Sequence, residues 1–280
     1  VRSPHPPFLL VTPEIQCNRF ILTELEGGLG SSIGKKLRSE GAHLAILYAP
    51  FEAARRDSLL ASGYDNDRTN IDTYECDITD ASSVQSAFAA LHKDQTATGA
   101  FPSILINTAG YVSLSDMHLT PPEETLKHLT TNVLGPMLCS QAFANLYFAA
   151  SASKRQTGNA EAPPGRIVTL ASQAAHVALH RHGAYCASKS AVLGLTRCMA
   201  SEWGPKGITA NTVSPTVAWT DLGKKAWGEQ GVKEKLLESI PTGKAELPEE
   251  VADAVVFLCQ DSSGMINGAD IRVDGGYTIR

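Results

Sequence analysis

Phe20-Ile21-Leu22-Thr23-Glu24-Leu25-Glu26-Gly27-Gly28-Leu29-Gly30, followed by the amphipathic stretch Ser31 to Glu40 and then by His43 to Tyr48, is the passage that decides the fold. An apolar run breaks into a glycine-rich turn, a helical pattern follows, and a second apolar run begins, which is one β-α step and the start of the next. Glycines at such a turn let the backbone approach a diphosphate, and the helix that follows offers unpaired N–H groups and the positive end of its dipole. A P-loop does not fit, because Leu29 stands five residues before Gly34 and Lys36 follows Lys35.

The same rhythm continues outward. Phe51 to Ser62 reads as a helix, Asp72 to Cys76 as a strand, Ala81 to His92 as a helix, Ser103 to Asn107 as a strand and Glu123 to Ala150 as one long helix. Arg166 to Ala171, Ile208 to Val213 and Ala269 to Val273 complete the strands, with helices over Gly183 to Trp203, Gly223 to Glu238 and Pro248 to Cys259. Strands alternating with helices predict an α/β fold: a doubly wound, seven-stranded parallel sheet with helices on both faces. The polar segment Ser151 to Gly165 interrupts nothing on either side and reads as a surface loop, so residues 19–280 are expected to form a single domain. Residues 1–18, with four prolines before Glu14, are expected to be an irregular arm.

Composition narrows the function. With 43% apolar and 19% charged residues the 280-residue chain can bury a large core. A net charge of −5 repels nucleic acid and anionic lipid, so neither is an expected partner. No apolar run reaches the roughly 18 residues that span a bilayer. Six cysteines without a C-x-x-C pair suggest idle thiols in a reducing compartment, hence the cytoplasm.

Ile167-Val168-Thr169-Leu170-Ala171-Ser172 delivers Ser172 to the carboxyl end of a strand, where open α/β sheets bind ligands. Tyr185 and Lys189 lie four residues apart and share one helical face, so an ammonium near the phenol would lower its pKa from about 10. Such a tyrosine can exchange a proton with an alcohol or carbonyl oxygen while Ser172 holds that oxygen by hydrogen bonding. The competing reading is a core tyrosine with a solvated lysine. His176, His180 and His182 fall within seven residues, but no carboxylate or thiolate shares their loop, and no metal is expected.

These residues resemble the short-chain dehydrogenases/reductases, single-domain Rossmann enzymes that move a hydride between NAD(P) and alcohols or carbonyls. The resemblance runs from about Arg19 to Tyr277 and rests on Gly28-Leu29-Gly30, Cys76-Asp77-Ile78-Thr79, Asn107-Thr108-Ala109-Gly110, Asn132, Ser172 with Tyr185 and Lys189, and Asn211 through Pro215. It implies that Asn132 orders a water in a proton relay, Ser172 holds the substrate oxygen, Tyr185 is the acid/base, and Lys189 binds the nicotinamide ribose and tunes the phenol. Gly28, Leu29, Gly30, Tyr48, Asp77, Ile78, Asn107, Ala109, Gly110, Tyr185, Lys189, Pro215, Val217 and Thr220 would contact the cofactor. Asn107 as a loop cap and Asp77 as a helix N-cap are the plainer alternatives. Family members usually form dimers or tetramers, and the two long helices from Glu123 and Gly183, apolar around much of their circumference, suit a homo-oligomer or homotetramer.

The chain departs from the family pattern at Glu24, which stands where the phosphate turn has its first glycine. A carboxylate about 5 Å from a phosphate at an effective dielectric of about 20 costs roughly 3 kcal/mol, a factor on the order of 100 in affinity, unless Lys35 or Arg38 relieves it. A scaffold protein impaired in cofactor binding therefore stays open beside the enzyme. No acidic residue stands near Tyr48 to pair with the ribose hydroxyls, and Arg55 and Arg56 follow, so NADP is favoured over NAD. Val213 to Trp227 and Ile240 to Lys244 look like the branch that includes xylulose reductases and other polyol or ketose dehydrogenases. By that narrower resemblance Ser172, Gln173, His182, Tyr185 and Trp227 line the pocket for a small alcohol or carbonyl substrate. Gln173 and His182 as surface loop residues, and Trp227 as a helix-packing residue, remain the alternatives.

Overall fold

The computed structural model describes residues 18–23, 28–64, 68–98, 101–156, 162–220 and 230–279. Of the arm expected over residues 1–18, all but Asn18 lies outside them. Seven parallel strands form one sheet in the order β3-β2-β1-β4-β5-β6-β7. They are β1 (Asn18–Leu22), β2 (His43–Tyr48), β3 (Ile71–Glu75), β4 (Phe101–Asn107), β5 (Gly165–Leu170), β6 (Ile208–Pro215) and β7 (Asp270–Val273). The central strands are apolar on both faces because both faces are covered. Their side chains alternate between two cores: Phe20, Leu22, Leu44, Ile46, Ile104 and Ile106 enter one, while Ile21, Ala45, Leu47 and Leu105 enter the other.

Helices α1 (Gly28–Ser39) and α8 (Pro248–Cys259) close the first core with Ile33, Leu37, Val251 and Val255. The second is closed by α3 (Ala81–Thr98), α5 (Gly135–Gln156) and α6 (Gly183–Trp203) through Leu91, Phe143 and Met199. Two shorter helices, α2 (Arg56–Gly63) and α4 (Pro122–Leu129), and α7 (Gln230–Ser239) complete the set named here. The sheet is the Rossmann-like doubly wound arrangement the alternation predicts. Chain order reverses between β1 and β4, and the crevice beyond the carboxyl ends of those two strands is where such sheets take ligands.

Three expectations need correcting. The helix expected over Glu123 to Ala150 is two α-helices separated by a π turn at Thr130–Leu134, in which the Gly135 N–H bonds back to the Thr130 carbonyl. Pro136 explains the break, since it has no N–H to give the Asn132 carbonyl four residues earlier. The helix expected from Phe51 begins as a 3-10 turn, Pro50–Arg55, before α2. The loop expected from Ser151 is helical through Gln156. By length and hydropathy Pro122–Gln156 could cross a membrane; in this fold α5 packs on β4 and α3, and α4 packs on α6.

Candidate active site

Ser172, buried two residues beyond β5, is in extended conformation and its Oγ accepts the Ala174 N–H at 3.1 Å. With that lone pair engaged, the hydroxyl proton is left to be donated. Lys189, also buried, sends its Nζ to the Leu170 carbonyl at 2.8 Å and stands 5.8 Å from the Tyr185 ring centroid. Strand end and helix are thereby tied together, and Ser172, Tyr185 and Lys189 share one place. The expected fall in the Tyr185 pKa is overturned: burial pushes the phenol above its ordinary value, and hydrogen bonding by the Ser172 hydroxyl opposes it only in part.

Asn132 sits on the π turn, and its side chain is fully engaged. Its Oδ1 accepts the Tyr111 N–H (2.7 Å), while its Nδ2 donates to the Tyr111 carbonyl (2.8 Å) and to Ser188 Oγ (2.9 Å). Ser188 Oγ in turn donates to the Tyr185 carbonyl at 2.7 Å. The amide thus fastens the segment after β4 to α6, and any part in a relay falls to the backbone of Asn132. At Gly110 an added Cβ would lie 3.6 Å from Lys189 Nζ and 3.7 Å from Asn132 Oδ1, so Asn107 to Gly110 borders the same group.

Around the β1–β4 crevice, Thr23 Oγ1 accepts the N–H groups of Thr108 and Ala109 (3.1 and 3.4 Å). Asn107 Nδ2 donates to Ser140 and Thr169, and its buried Oδ1 has no hydrogen-bond partner among the described residues. Gly30 is buried and Leu29 packs on the first core. Gly28 leaves no room for a side chain: a Cβ there would come within 2.5 Å of Thr220 Cγ2. The loop that leaves β6 at Pro215 and carries Val217 and Thr220 therefore closes on the N-terminus of α1. Ile78 covers Gly135, and Asp77 Oδ1 accepts the N–H and hydroxyl of Thr79 in the turn before α3, whose N-cap is Asp80, accepting the Ser82 N–H at 2.9 Å, and not Asp77. Tyr48 ends β2 with the Arg56 guanidinium carbon 5.9 Å from its ring centroid. The start of α1 at Gly28, the Asn107 amide oxygen and a guanidinium at the end of β2 fit an extended dinucleotide. Glu24 and Gly27 lie outside the described residues.

Gln173 is buried and accepts the Thr216 hydroxyl (2.6 Å), while the His182 ring stands 6.1 Å from that of Tyr185. Trp227 lies outside the described residues. The three histidines diverge: His176 pairs with Asp270 (2.8 Å), whereas His182 Nδ1 bonds the His180 carbonyl (2.7 Å). Sequence reading missed a group on α4. His128 is buried between the rings of Tyr111 (4.9 Å) and Tyr185 (6.3 Å), and Glu124 Oε1 accepts the hydroxyls of Tyr111 and Ser113. Their spacing was the available signal, since Glu124, His128 and Asn132 recur every four residues along one helical face.

A family model described as enoyl-(acyl carrier protein) reductase matches residues 25–278. A D-threitol dehydrogenase of Mycolicibacterium smegmatis is 40% identical over 261 residues, covering 93% of this chain and 92% of the relative. An NAD-dependent glycerol dehydrogenase of Listeria innocua is 34% identical over 262 residues, 93% of each chain. Among solved structures, a short-chain dehydrogenase/reductase mutant of Serratia marcescens superposes with a TM-score of 0.78 at 27% identity, covering 95% of this chain and 99% of that one.

Proposed function

The chain belongs to the short-chain dehydrogenase/reductase family of NAD(P)-dependent oxidoreductases, and from that premise we propose that it interconverts a small polyol and its ketose, with NADP preferred over NAD. The observation that carries the reading is the Lys189 bond to the Leu170 carbonyl, which holds Tyr185 opposite Ser172 at the open end of the sheet. Ser172 holds the reacting oxygen by a hydrogen bond from its hydroxyl and keeps its own proton, and Tyr185 takes that oxygen's proton in oxidation and returns it in reduction. Lys189 holds the ribose, and the Asn132 backbone orders a water of the relay. The dinucleotide, when bound, supplies or accepts the hydride.

The substrate class draws support from relatives named for threitol and glycerol, and from Gln173 and His182 as polar lining, with Trp227 as an aromatic wall. The NADP preference draws on the absence of an acidic residue at Tyr48 and on Arg56 beside it. In this reading residues 19–280 are one catalytic domain. Free thiols at Cys76, Cys139, Cys186, Cys198 and Cys259 suit a cytoplasmic enzyme. Exposed Leu126, Leu129 and Leu134 suit burial in a homotetramer.

The test is oxidation of NADPH and NADH with xylulose, fructose, sorbose and erythrulose, and the reverse assay with threitol. Turnover of one or more, faster with NADPH, is expected. No turnover of any, beside good turnover of a bulky hydrophobic ketone, rejects the substrate class. Cofactor fluorescence unchanged by excess protein favours the scaffold reading instead.

A further inference from the structure

The α4 helix is not part of the machinery described above, yet it carries two side chains that reach it. Glu124 Oε1 accepts two hydroxyls, from Tyr111 (2.6 Å) and from Ser113. One turn later, His128 Nδ1 donates to the Glu124 carbonyl (2.8 Å) while its Nε2 accepts the Ser113 N–H (3.2 Å). A ring nitrogen that accepts a backbone N–H carries no proton, so these two bonds fix the Nδ1–H tautomer. Lys127 places its ammonium 4.0 Å from the Tyr111 ring centroid on the outer side. Every polar atom of the segment Tyr111 to Ser113 named so far is held by α4 or by Asn132.

That segment follows Gly110 directly, and Gly110 borders Lys189. The His128 ring meets the Tyr185 ring edge-on at 6.3 Å and an interplanar angle of 68°. It is buried to 1% exposure. Its effect on chemistry must therefore pass through Ser113 on one side and Tyr185 on the other. Around Tyr185 stand His128 from α4, Ser172 from the end of β5, and Lys189, Cys186 and His182 from α6 and its start.

We propose that Glu124 and His128 are positioning residues of this enzyme: Glu124 sets the wall Tyr111–Ser113 that meets the substrate, and His128 wedges the Tyr185 ring in place. The proposal rests on the polyol reading of the site, and it separates two effects. Losing the Glu124 anchor frees two hydroxyl side chains of the wall and acts on substrate binding. Losing the His128 ring admits water beside Tyr185 and acts on its protonation and aim. Removing a charged hydrogen-bond acceptor, or shifting a reactive group by an ångström, is enough for about ten- to a hundredfold effects.

The experiment is steady-state kinetics with the best polyol found for the wild type, together with cofactor titration. Glu124→Ala should raise KM about tenfold with kcat and cofactor affinity little changed, and Glu124→Gln, which keeps an acceptor, should restore KM. His128→Ala should lower kcat and move the alkaline limb of the oxidative pH profile to lower pH, because burial is what raises the Tyr185 phenol. His128→Phe keeps the ring but not the acceptor, and should restore the limb alone. Unchanged KM in Glu124→Ala, or an unmoved limb in a folded His128→Ala, overturns the proposal. If the alanine variants do not fold, the Gln and Phe variants decide: equal deficits in KM and in the limb for both would mark a merely structural role. Failure of the wild type to turn over any polyol would instead strike the functional reading on which the proposal stands.

Discussion

Lys189 Nζ donates to the main-chain carbonyl of Leu170 at 2.8 Å, which joins the middle of α6 to the last residue of β5, two residues before Ser172. The bond makes one rigid unit of the two elements that carry the hydroxyls of the proposed site. Lys189→Met removes a charged donor from a buried carbonyl, a loss of about 1–3 kcal/mol, and it leaves Tyr185 without its ammonium neighbour. The expected outcome is a lower melting temperature and a fall in kcat/KM of at least about a hundredfold, read by thermal denaturation and steady-state kinetics.

Tyr185→Phe should abolish turnover and leave cofactor affinity largely intact. Because burial raises the phenol, it keeps its proton at neutral pH; in the proposed acid/base role it serves reduction there, and oxidation, which needs the phenolate, climbs with pH. The Ser172 hydroxyl is the group that pulls the phenol downward. Ser172→Ala should therefore lower the oxidative rate and move its alkaline limb further up, and a limb moving down would contradict this assignment.

Much of this was legible in the sequence. Phe20, Leu44 and Ile104 lie in unbroken apolar runs because their strands are covered on both sides, and such runs alternating with helices admit few topologies. Ser172, Tyr185 and Lys189 were legible because a strand end and a helical period of four fix their meeting. The π turn was not, although Gly135-Pro136 marks it in hindsight: one missing N–H shifts a hydrogen bond without altering the apolar pattern. Nor was the rise in the Tyr185 pKa, since helical spacing gives the distance of a charge but not the depth of burial that outweighs it.

The start of α1 offers a test of cofactor fit. Gly28→Ala would set a methyl 2.5 Å from Thr220 Cγ2 and 2.8 Å from its Cβ, so the loop after β6 must move away. Cofactor affinity should fall about tenfold or more. Adding Thr220→Gly, which deletes both contacted atoms, should recover the part of that loss owed to the overlap. Fluorescence titration of the two variants against Thr220→Gly alone measures the coupling.

Glu246 is buried, and among the described residues neither carboxylate oxygen has a well-formed hydrogen bond, the backbone of Thr216 offsetting the burial only in part. Its backbone carbonyl takes the Trp219 N–H at 2.8 Å, next to the bridge between Ala218 and Glu246, so it supports the loop that reaches Gly28. Burial, reinforced by the charges of Glu250 and Asp274, pushes its pKa from 4.5 up to about 8. Below pH 4.5 both folded and unfolded chains hold the proton. Between there and about 8 the unfolded chain alone loses it, so stability falls with rising pH, by at most about 5 kcal/mol in total. Above about 8 the folded protein carries a buried carboxylate and the whole loss is in place. Glu246→Gln cannot ionise, so its melting temperature should match the wild type near pH 5, exceed it near pH 8.5 and remove most of the slope between, whereas parallel curves across that range would show that Glu246 is already ionised in the folded chain.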